Sequence, residues 1–330
     1  MAITPRRDPR PRVLLRAASG PKVGMGHVMR SFAVAQEIVR CGGEALLIVD
    51  DERSAEALDA RVRGIGRFDV VWEGDASDWI RLPAQSAWLD GFRDWSSVID
   101  DLKLTETPTM LVENRTPARD HATRILYPAL HHRHDAWDLA HPDQILSGAR
   151  WIPLRRAVID EPEALARNID LLVSFGGSDP NQLTERVLRV LQGDKRTITV
   201  AIGPLMAARR RRIEELVTGI PNGSVLETGA ELAPWMARSK SAVTALGTTL
   251  YELAFHRVPA LILANQESDQ DALDWYGKNT SHQPVGVAGD VDDELLRKQL
   301  LRASRLKSGA PLPELGAGAT RLAEHLLGGL

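Results

Sequence analysis

The chain has 330 residues, 43% hydrophobic and 26% charged, and a net charge of −3, the composition of a globular protein long enough for two domains that each bury a core. A slightly acidic balance argues against nucleic acid as a partner, and the run Arg209–Arg212 reads as a solvated helix face. No apolar run is long enough to span a bilayer, Met1–Arg12 is a loose tail without the apolar centre of a signal peptide, and the single Cys41 allows no disulfide framework; a cytoplasmic protein without membrane insertion is expected.

In chain order, Val13–Leu15 reads as a buried strand, followed by a glycine-bearing loop and by Phe32, Val34, Ala35, Ile38 and Val39 at helical spacing. Gly24 and Gly26 let this loop turn tightly and approach a ligand, while His27 and Arg30 share one face of the first helical turn. Amides at a helix start attract anions and disfavour an imidazolium, so a neutral His27 is suited to accept a proton and Arg30 to hold a phosphate. Met29 stands where a dinucleotide fingerprint needs its third glycine, which discounts NAD. Turn and polar roles for these residues are equally open on the pattern alone. Strands are predicted at Ala45–Val49, Phe68–Trp72, Ser86–Leu89, Thr109–Val112 and Arg124–Leu126, with helices at Ser54–Val62 and Trp95–Leu102. This is a doubly wound α/β domain with Ser19–His27, Asp90–Phe92 and Glu113–Arg115 at the carboxyl ends of its strands, where ligands sit. His131, His132, His134 and His141 lie in a polar segment with no carboxylate at a spacing that fixes a metal, so no metal and no cofactor are expected. The charged stretch Asp160–Arg167, rich in helix formers, marks the boundary between domains taken as 1–155 and 156–330.

The alternation then repeats. Strand Leu171–Phe175 ends in Gly176-Gly177-Ser178-Asp179-Pro180, with Pro180 at the first helical position and Asp179 or Ser178 capping a helix over Leu183–Leu191. Strand Thr197–Ile202, helix Ala207–Val217, strand Val225–Leu226 and a short helix at Leu232–Ala237 follow. Strand Ala242–Ala245 runs into Gly247, Thr248 and Thr249 at the start of a helix to Phe255, where a diphosphate is favoured. Glu252, one turn on, can accept both hydroxyls of a ribose, or can be an exposed glutamate on a capped helix. After strand Ala260–Leu263, the amides of Asn265 and Gln266 are placed for a sugar.

Gly24-Met-Gly-His27-Val-Met-Arg30, Val173-Ser-Phe-Gly-Gly-Ser-Asp-Pro180, Thr244-Ala-Leu-Gly-Thr-Thr-Leu-Tyr-Glu252, Asn265-Gln266 and Gly316-Ala-Gly-Ala-Thr-Arg321 together resemble the UDP-sugar hydrolase family of pseudaminic acid biosynthesis. Members of that family cleave UDP from UDP-2,4-diacetamido-2,4,6-trideoxy-β-L-altropyranose, a step toward the nonulosonic acids used in flagellin glycosylation. The family is similar to glycosyltransferases of the GT-B fold, including the enzyme that adds N-acetylglucosamine in peptidoglycan synthesis. The resemblance implies two Rossmann-like domains with parallel sheets facing across a cleft, and a carboxyl-terminal helix, Thr320–Leu327, that packs back on the first domain. It implies a UDP-sugar substrate with UDP on the second domain: Glu252 on the ribose, Gly247–Thr249 on the diphosphate and backbone near Gly203–Met206 on the uracil edge. His27 would then be a metal-independent general base for water. The chain departs from the family at Ala18, Phe92 and Glu113-Asn114, where aspartate, tyrosine and a pair of aspartates are usual. All three lie at strand ends of the first domain, so a hydrolase of a different sugar, a glycosyltransferase using an acceptor hydroxyl, and a non-catalytic UDP-sugar-binding homologue each fit the pattern.

Overall fold

The computed structural model describes residues 10–20, 23–62, 65–76, 78–163, 166–310, 312 and 314–330. Most of the Met1–Arg12 tail, Pro21 and Lys22 of the first loop, and Ala164 and Leu165 of the Asp160–Arg167 stretch lie outside the described residues.

Short runs rich in Val, Ile and Leu, buried on both faces, make parallel strands. Strands β1 (Arg12–Ala17), β2 (Glu44–Val49), β3 (Phe68–Trp72), β4 (Ser86–Asp90), β5 (Thr109–Val112), β6 (Arg124–Tyr127) and β7 (Ile145–Ser147) form one sheet in the order β3-β2-β1-β4-β5-β6-β7. Strands β8 (Leu171–Val173), β9 (Ile198–Val200), β10 (Gly223–Val225), β11 (Ala242–Thr244), β12 (Ala260–Ala264) and β13 (Gln283–Val287) form a second, in the order β10-β9-β8-β11-β12-β13. Every neighbouring pair is parallel. The strand order reverses between β1 and β4 in the first sheet and between β8 and β11 in the second. A reversal opens a crevice at the carboxyl ends of the two strands, and ligands bind there.

The helix Gly26–Arg40 covers the first sheet by burying Val28, Phe32, Ala35 and Ile38, at helical spacing, against Leu15, Leu47 and Trp88. Each such side chain contributes roughly 1.5–3 kcal/mol of transfer free energy. The chain crosses between the units twice. Ile152, Leu154 and Val158 pack in the core of the second sheet. The last helix, Gly318–Gly328, returns to the first, where Leu322, Ala323 and Leu326 are fully buried. Thr320 Oγ1 donates to Glu37 Oε2 at 2.8 Å and Ser86 Oγ donates to the Leu326 carbonyl at 2.7 Å.

Several local expectations change. The helix expected over Leu183–Leu191 runs from Leu183 to Val190, but Pro180 is not its first residue, because Asp179 (φ 44°) and Gln182 (φ 54°) both take left-handed backbone and lengthen the loop. The Asp179 carboxylate still serves the helix start, accepting from the amides of Leu183 at 2.8 Å and Thr184 at 3.0 Å. The basic run is not uniformly solvated: Arg209 donates to the carbonyls of Ser178 (3.2 Å) and Asp179 (3.1 Å), whereas the Arg211 side chain is 93% exposed. Among the described residues Asp160–Arg167 supplies no helix; a single turn, Arg156–Ile159, ends before it.

Candidate functional site

The helix carrying His27 starts at Gly26, with Met25 as its N-cap, no side-chain cap and no acidic residue in its first turn. Its first amides are therefore left for another partner. His27 and Arg30, three residues apart on one face, both turn onto Asp90 at the end of β4. His27 Nδ1 lies 2.6 Å from Asp90 Oδ1; Arg30 Nε donates to Oδ2 and its terminal nitrogen to Oδ1, each at 2.6 Å. The other terminal nitrogen of Arg30 donates to Glu113 Oε2. His27, Arg30 and Asp90 are all buried.

This network fixes the imidazole. Arg30 also comes within 2.8 Å of His27 Nδ1, but a guanidinium only donates, and one nitrogen cannot accept from it while donating to Asp90. A buried carboxylate is the stronger claim on that nitrogen, so in the neutral ring Nδ1 carries the proton and the lone pair sits on Nε2, for which no hydrogen-bond partner is found among the described residues. Burial alone would raise the Asp90 carboxyl, but the Arg30 guanidinium and His27 outweigh it and hold it below the usual carboxylate range. Burial likewise works against the charge of Arg30, yet Asp90 and Glu113 overcome it and keep the guanidinium protonated.

The three sequence departures converge on this turn. Ala18 donates its amide to the Asp90 carbonyl at 2.8 Å and its Cβ would lie 2.9 Å from a methyl on Gly91. Phe92 meets His27 edge to face at 4.8 Å and is 65% exposed. Asn114 Nδ2 donates to the carbonyls of Gly91 (2.7 Å) and Arg93 (2.8 Å), bracing the turn, while Glu113, in left-handed backbone (φ 50°), faces Arg30.

The second unit presents its own loops to the same place. A methyl on Gly177 would fall 2.3 Å from Met25 Cγ, and one on Gly24 would fall 3.4 Å from Ser178 Oγ, so the loop 176–178 lies against the loop ahead of His27. The helix Thr248–Phe255 packs against the helix Gly26–Arg40, and its Tyr251 lies within electrostatic reach of Glu113 and Arg30. Gly247 is exposed at the N-cap, Thr248 and Thr249 are half-buried, and that helix start also lacks a side-chain cap.

Glu252 is not the exposed residue of a bare capped helix. It is buried, with Oε1 accepting from Arg155 Nε at 2.8 Å, and no hydrogen bond to Oε2 is found among the described residues. Arg155 in turn donates to both oxygens of Glu231, at 2.8 and 2.7 Å. Arg155 escaped the sequence reading because nothing local links it to a partner 97 residues away. Asn265 is half-buried with its side chain and carbonyl both bonded to Asn181 at 3.1 Å, and Gln266 is exposed. The backbone near Gly203–Met206 offers a uracil edge carbonyls only. The amide of Gly203 is spent on Met206 Sδ, that of Leu205 on the Gly177 carbonyl and that of Met206 on the Gly203 carbonyl, and Pro204 has none.

No protein-family model matches the chain. The chain is 31% identical over 168 residues to the spore coat polysaccharide biosynthesis protein SpsG of Bacillus subtilis, covering 46% of this chain and 48% of that protein. It is 22% identical over 285 residues to the protein MJ1062 of Methanocaldococcus jannaschii, covering 79% and 57%. The chain thus spans about half the length of the curated relatives it matches. Among solved structures it resembles Acinetobacter baumannii MurG, with a TM-score of 0.60 at 14% identity over 96% of this chain and 98% of that one. The two parallel-sheet units have the GT-B fold. UGT89C1 of Arabidopsis thaliana complexed with UDP gives a TM-score of 0.60 at 14% identity over 96% and 95%, and the UDP-GlcNAc 2-epimerase of M. jannaschii 0.56 at 10% over 96% and 99%. At these identities the likeness concerns the fold.

Proposed function

We propose that this GT-B chain is a UDP-sugar hydrolase of the pseudaminic acid type, releasing UDP and free sugar from a UDP-linked amino-deoxy sugar without a metal in the chemical step. The observation that carries the reading is the buried His27–Asp90 pair at a strand-order reversal, with Nε2 left free to accept a proton. In the reaction, water oxygen bonds to the anomeric carbon while its proton passes to His27 Nε2; the bond from that carbon to the diphosphate oxygen breaks, and UDP leaves with the electron pair. Asp90 holds the ring and offsets the positive charge it acquires. The uncapped helix start at Gly247–Thr249 is suited to the negative charge gathering on the leaving group. Glu252 Oε2 is the group suited to the ribose hydroxyls, with Gly24, Gly26, Gly176, Gly177, Ser178, Asn265 and Gln266 bordering the sugar and phosphate path. Arg30, spent on Asp90 and Glu113, acts on substrate through His27 rather than as a free phosphate clamp.

One observation favours transfer to an acceptor instead: Phe92, beside His27 and 65% exposed, offers a platform for a second molecule at the mouth of the site. Incubation with a panel of UDP-sugars, with mass detection of products, separates the readings. Free sugar and UDP support the hydrolase. Sugar retained on an added acceptor makes the chain a transferase, and binding without turnover makes it a non-catalytic homologue.

A further inference from the structure

The segment after β6 shows no carboxylate at ligand spacing along the sequence, but folding supplies one. Asp135 caps the helix Ala136–Ala140 through a capping box with Asp138, which turns the Asp138 carboxylate back under the loop that carries His132 and His134. The Asp138 side chain is fully buried. Its Oδ1 accepts from the Tyr127 hydroxyl at 3.0 Å and its Oδ2 from the Asp135 amide at 3.0 Å. Oδ2 also lies 3.4 Å from His132 Nε2 and 3.8 Å from His134 Nδ1. The His132 side chain is 9% exposed, stacks on Tyr127 at 3.7 Å, and has no hydrogen-bond partner for Nε2 among the described residues. A buried imidazole nitrogen without a partner is costly unless something binds it. On His134, Nε2 lies 3.4 Å from Ser147 Oγ, which leaves Nδ1 as the ring nitrogen turned toward Asp138. Arg119 approaches Asp138 at 3.5 Å, but its nearer partner is Asp135 at 2.8 Å.

The three ligand atoms lie within 4.8 Å of one another. Bonds of about 2.1 Å to a tetrahedral ion put its ligands roughly 3.4 Å apart, so a small inward movement closes the set. We propose that His132 Nε2, His134 Nδ1 and Asp138 Oδ2 bind a divalent transition-metal ion, with Zn²⁺ preferred over Mg²⁺ because two of the three donors are imidazoles. His134 is 41% exposed and leaves the remaining position to solvent. The site is separate from His27 and stands whether or not the proposed reaction is correct. Its loop reaches the second unit, with His131 5.5 Å from the Tyr276 ring and Arg133 3.7 Å from Asp271, so the ion fixes a strut between the two sheets.

The test uses the full chain without added histidines, stripped with chelator and titrated with Co²⁺ and then Zn²⁺. One Co²⁺ per chain with visible ligand-field absorption, displaced by Zn²⁺, is expected. His132→Gln and His134→Gln should each weaken binding at least about tenfold, while His141→Gln, whose Nδ1 contacts the Trp137 carbonyl at 2.9 Å, should leave it unchanged. His134 is exposed enough that its variant keeps the fold, and a Zn²⁺-dependent rise in melting temperature should vanish in it. No saturable Co²⁺ binding, equal affinity in the two ligand variants and wild type, or a preference for Mg²⁺ overturns the proposal.

Discussion

The two strand-order reversals are built alike and treat charge oppositely. At the first, between β1 and β4, a glycine loop and an uncapped helix start are followed by a closed group of charges: His27, Arg30 and Asp90 buried together, with Glu113 on the rim. At the second, between β8 and β11, the helix start at Gly247–Thr249 carries no charge of its own, and the buried carboxylate of that helix, Glu252, is held a turn further on by Arg155. In the proposed reaction one end supplies the proton acceptor and the other the donors for an anion. On that reading strand, glycine loop and helix specify where a ligand goes, while the partners that the sheet brings to that loop specify what happens to it.

The strongest way to break the contrast is His27→Asn. The substitution keeps a polar side chain near Asp90 but removes the titrating nitrogen, and general-base assistance is typically worth about 10²–10⁴-fold. Turnover of the cognate UDP-sugar should fall by that range with UDP affinity nearly unchanged. Loss of rate through weaker UDP binding alone would move His27 out of the chemistry.

Asp90→Ala attacks the same group through its fold. Removing one member of a buried ion pair leaves Arg30 with only Glu113, a change that usually costs about 3–5 kcal/mol. Urea denaturation should show it. The pH dependence follows from the lowered Asp90 carboxyl. Its contribution to stability is complete above its unfolded value of about 4 and is lost as pH falls through its still lower folded value. Wild type should thus lose stability on acidification below about pH 4, and Asp90→Ala should show a shallower loss over that range. Parallel acid profiles in the two proteins would mean that Asp90 is not held as a charged partner.

At the other reversal, Glu252→Ala should weaken UDP binding by about 1.5–3 kcal/mol, the size of a hydrogen bond to a charged group. The substitution also removes one partner of a buried ion pair and leaves Arg155 with Glu231, so it should lower stability as well, and binding is to be read on protein that urea denaturation shows to be folded. Calorimetry decides the point: equal affinity in mutant and wild type would detach Glu252 from the nucleotide.

How much of this was legible in the sequence depends on how local the cause is. The strands Phe68–Trp72 and Thr109–Val112 are found where apolar, β-branched runs put them. The three-residue strand β7, half-buried throughout, carries no such run and was not predicted; nor were the helices Gln270–Asn279 and Asp293–Arg302 or strand β13. His27, Arg30 and Asp90 could each be named from their places at strand ends and helix starts. Their mutual contact could not, because Asp90 lies 63 residues from His27 and meets it only through the β1–β4 pairing. The same holds for Arg155 with Glu252. His132, His134 and Asp138 lie close in sequence, yet the capping box that swings Asp138 toward the imidazoles appears only once the helix forms.

The smallest expected effect sharpens the contrast within a single loop. Gly24 and Gly26 look interchangeable in sequence, as two glycines that let the chain turn. Only Gly24 of the two has left-handed backbone, at φ 85°, and a methyl there would meet Ser178 Oγ at 3.4 Å; Gly26 is the first residue of the helix, with nothing among the described residues within 4 Å of the added carbon. Gly24→Ala should therefore cost about 1–2 kcal/mol from the backbone alone. Gly26→Ala should instead stabilise the fold by about 0.4–1 kcal/mol, because it removes freedom from the unfolded chain at a position whose backbone alanine accepts. Opposite shifts in melting temperature, two residues apart, are the signature. The open space over Gly26 also makes it the approach to the free amides of the helix, so Gly26→Ala should be more stable and yet bind the UDP-sugar more weakly. A stabilised Gly26→Ala with unchanged substrate affinity would mean that the ligand does not pass over this helix start, and the proton acceptor at His27 would then need another route to its substrate.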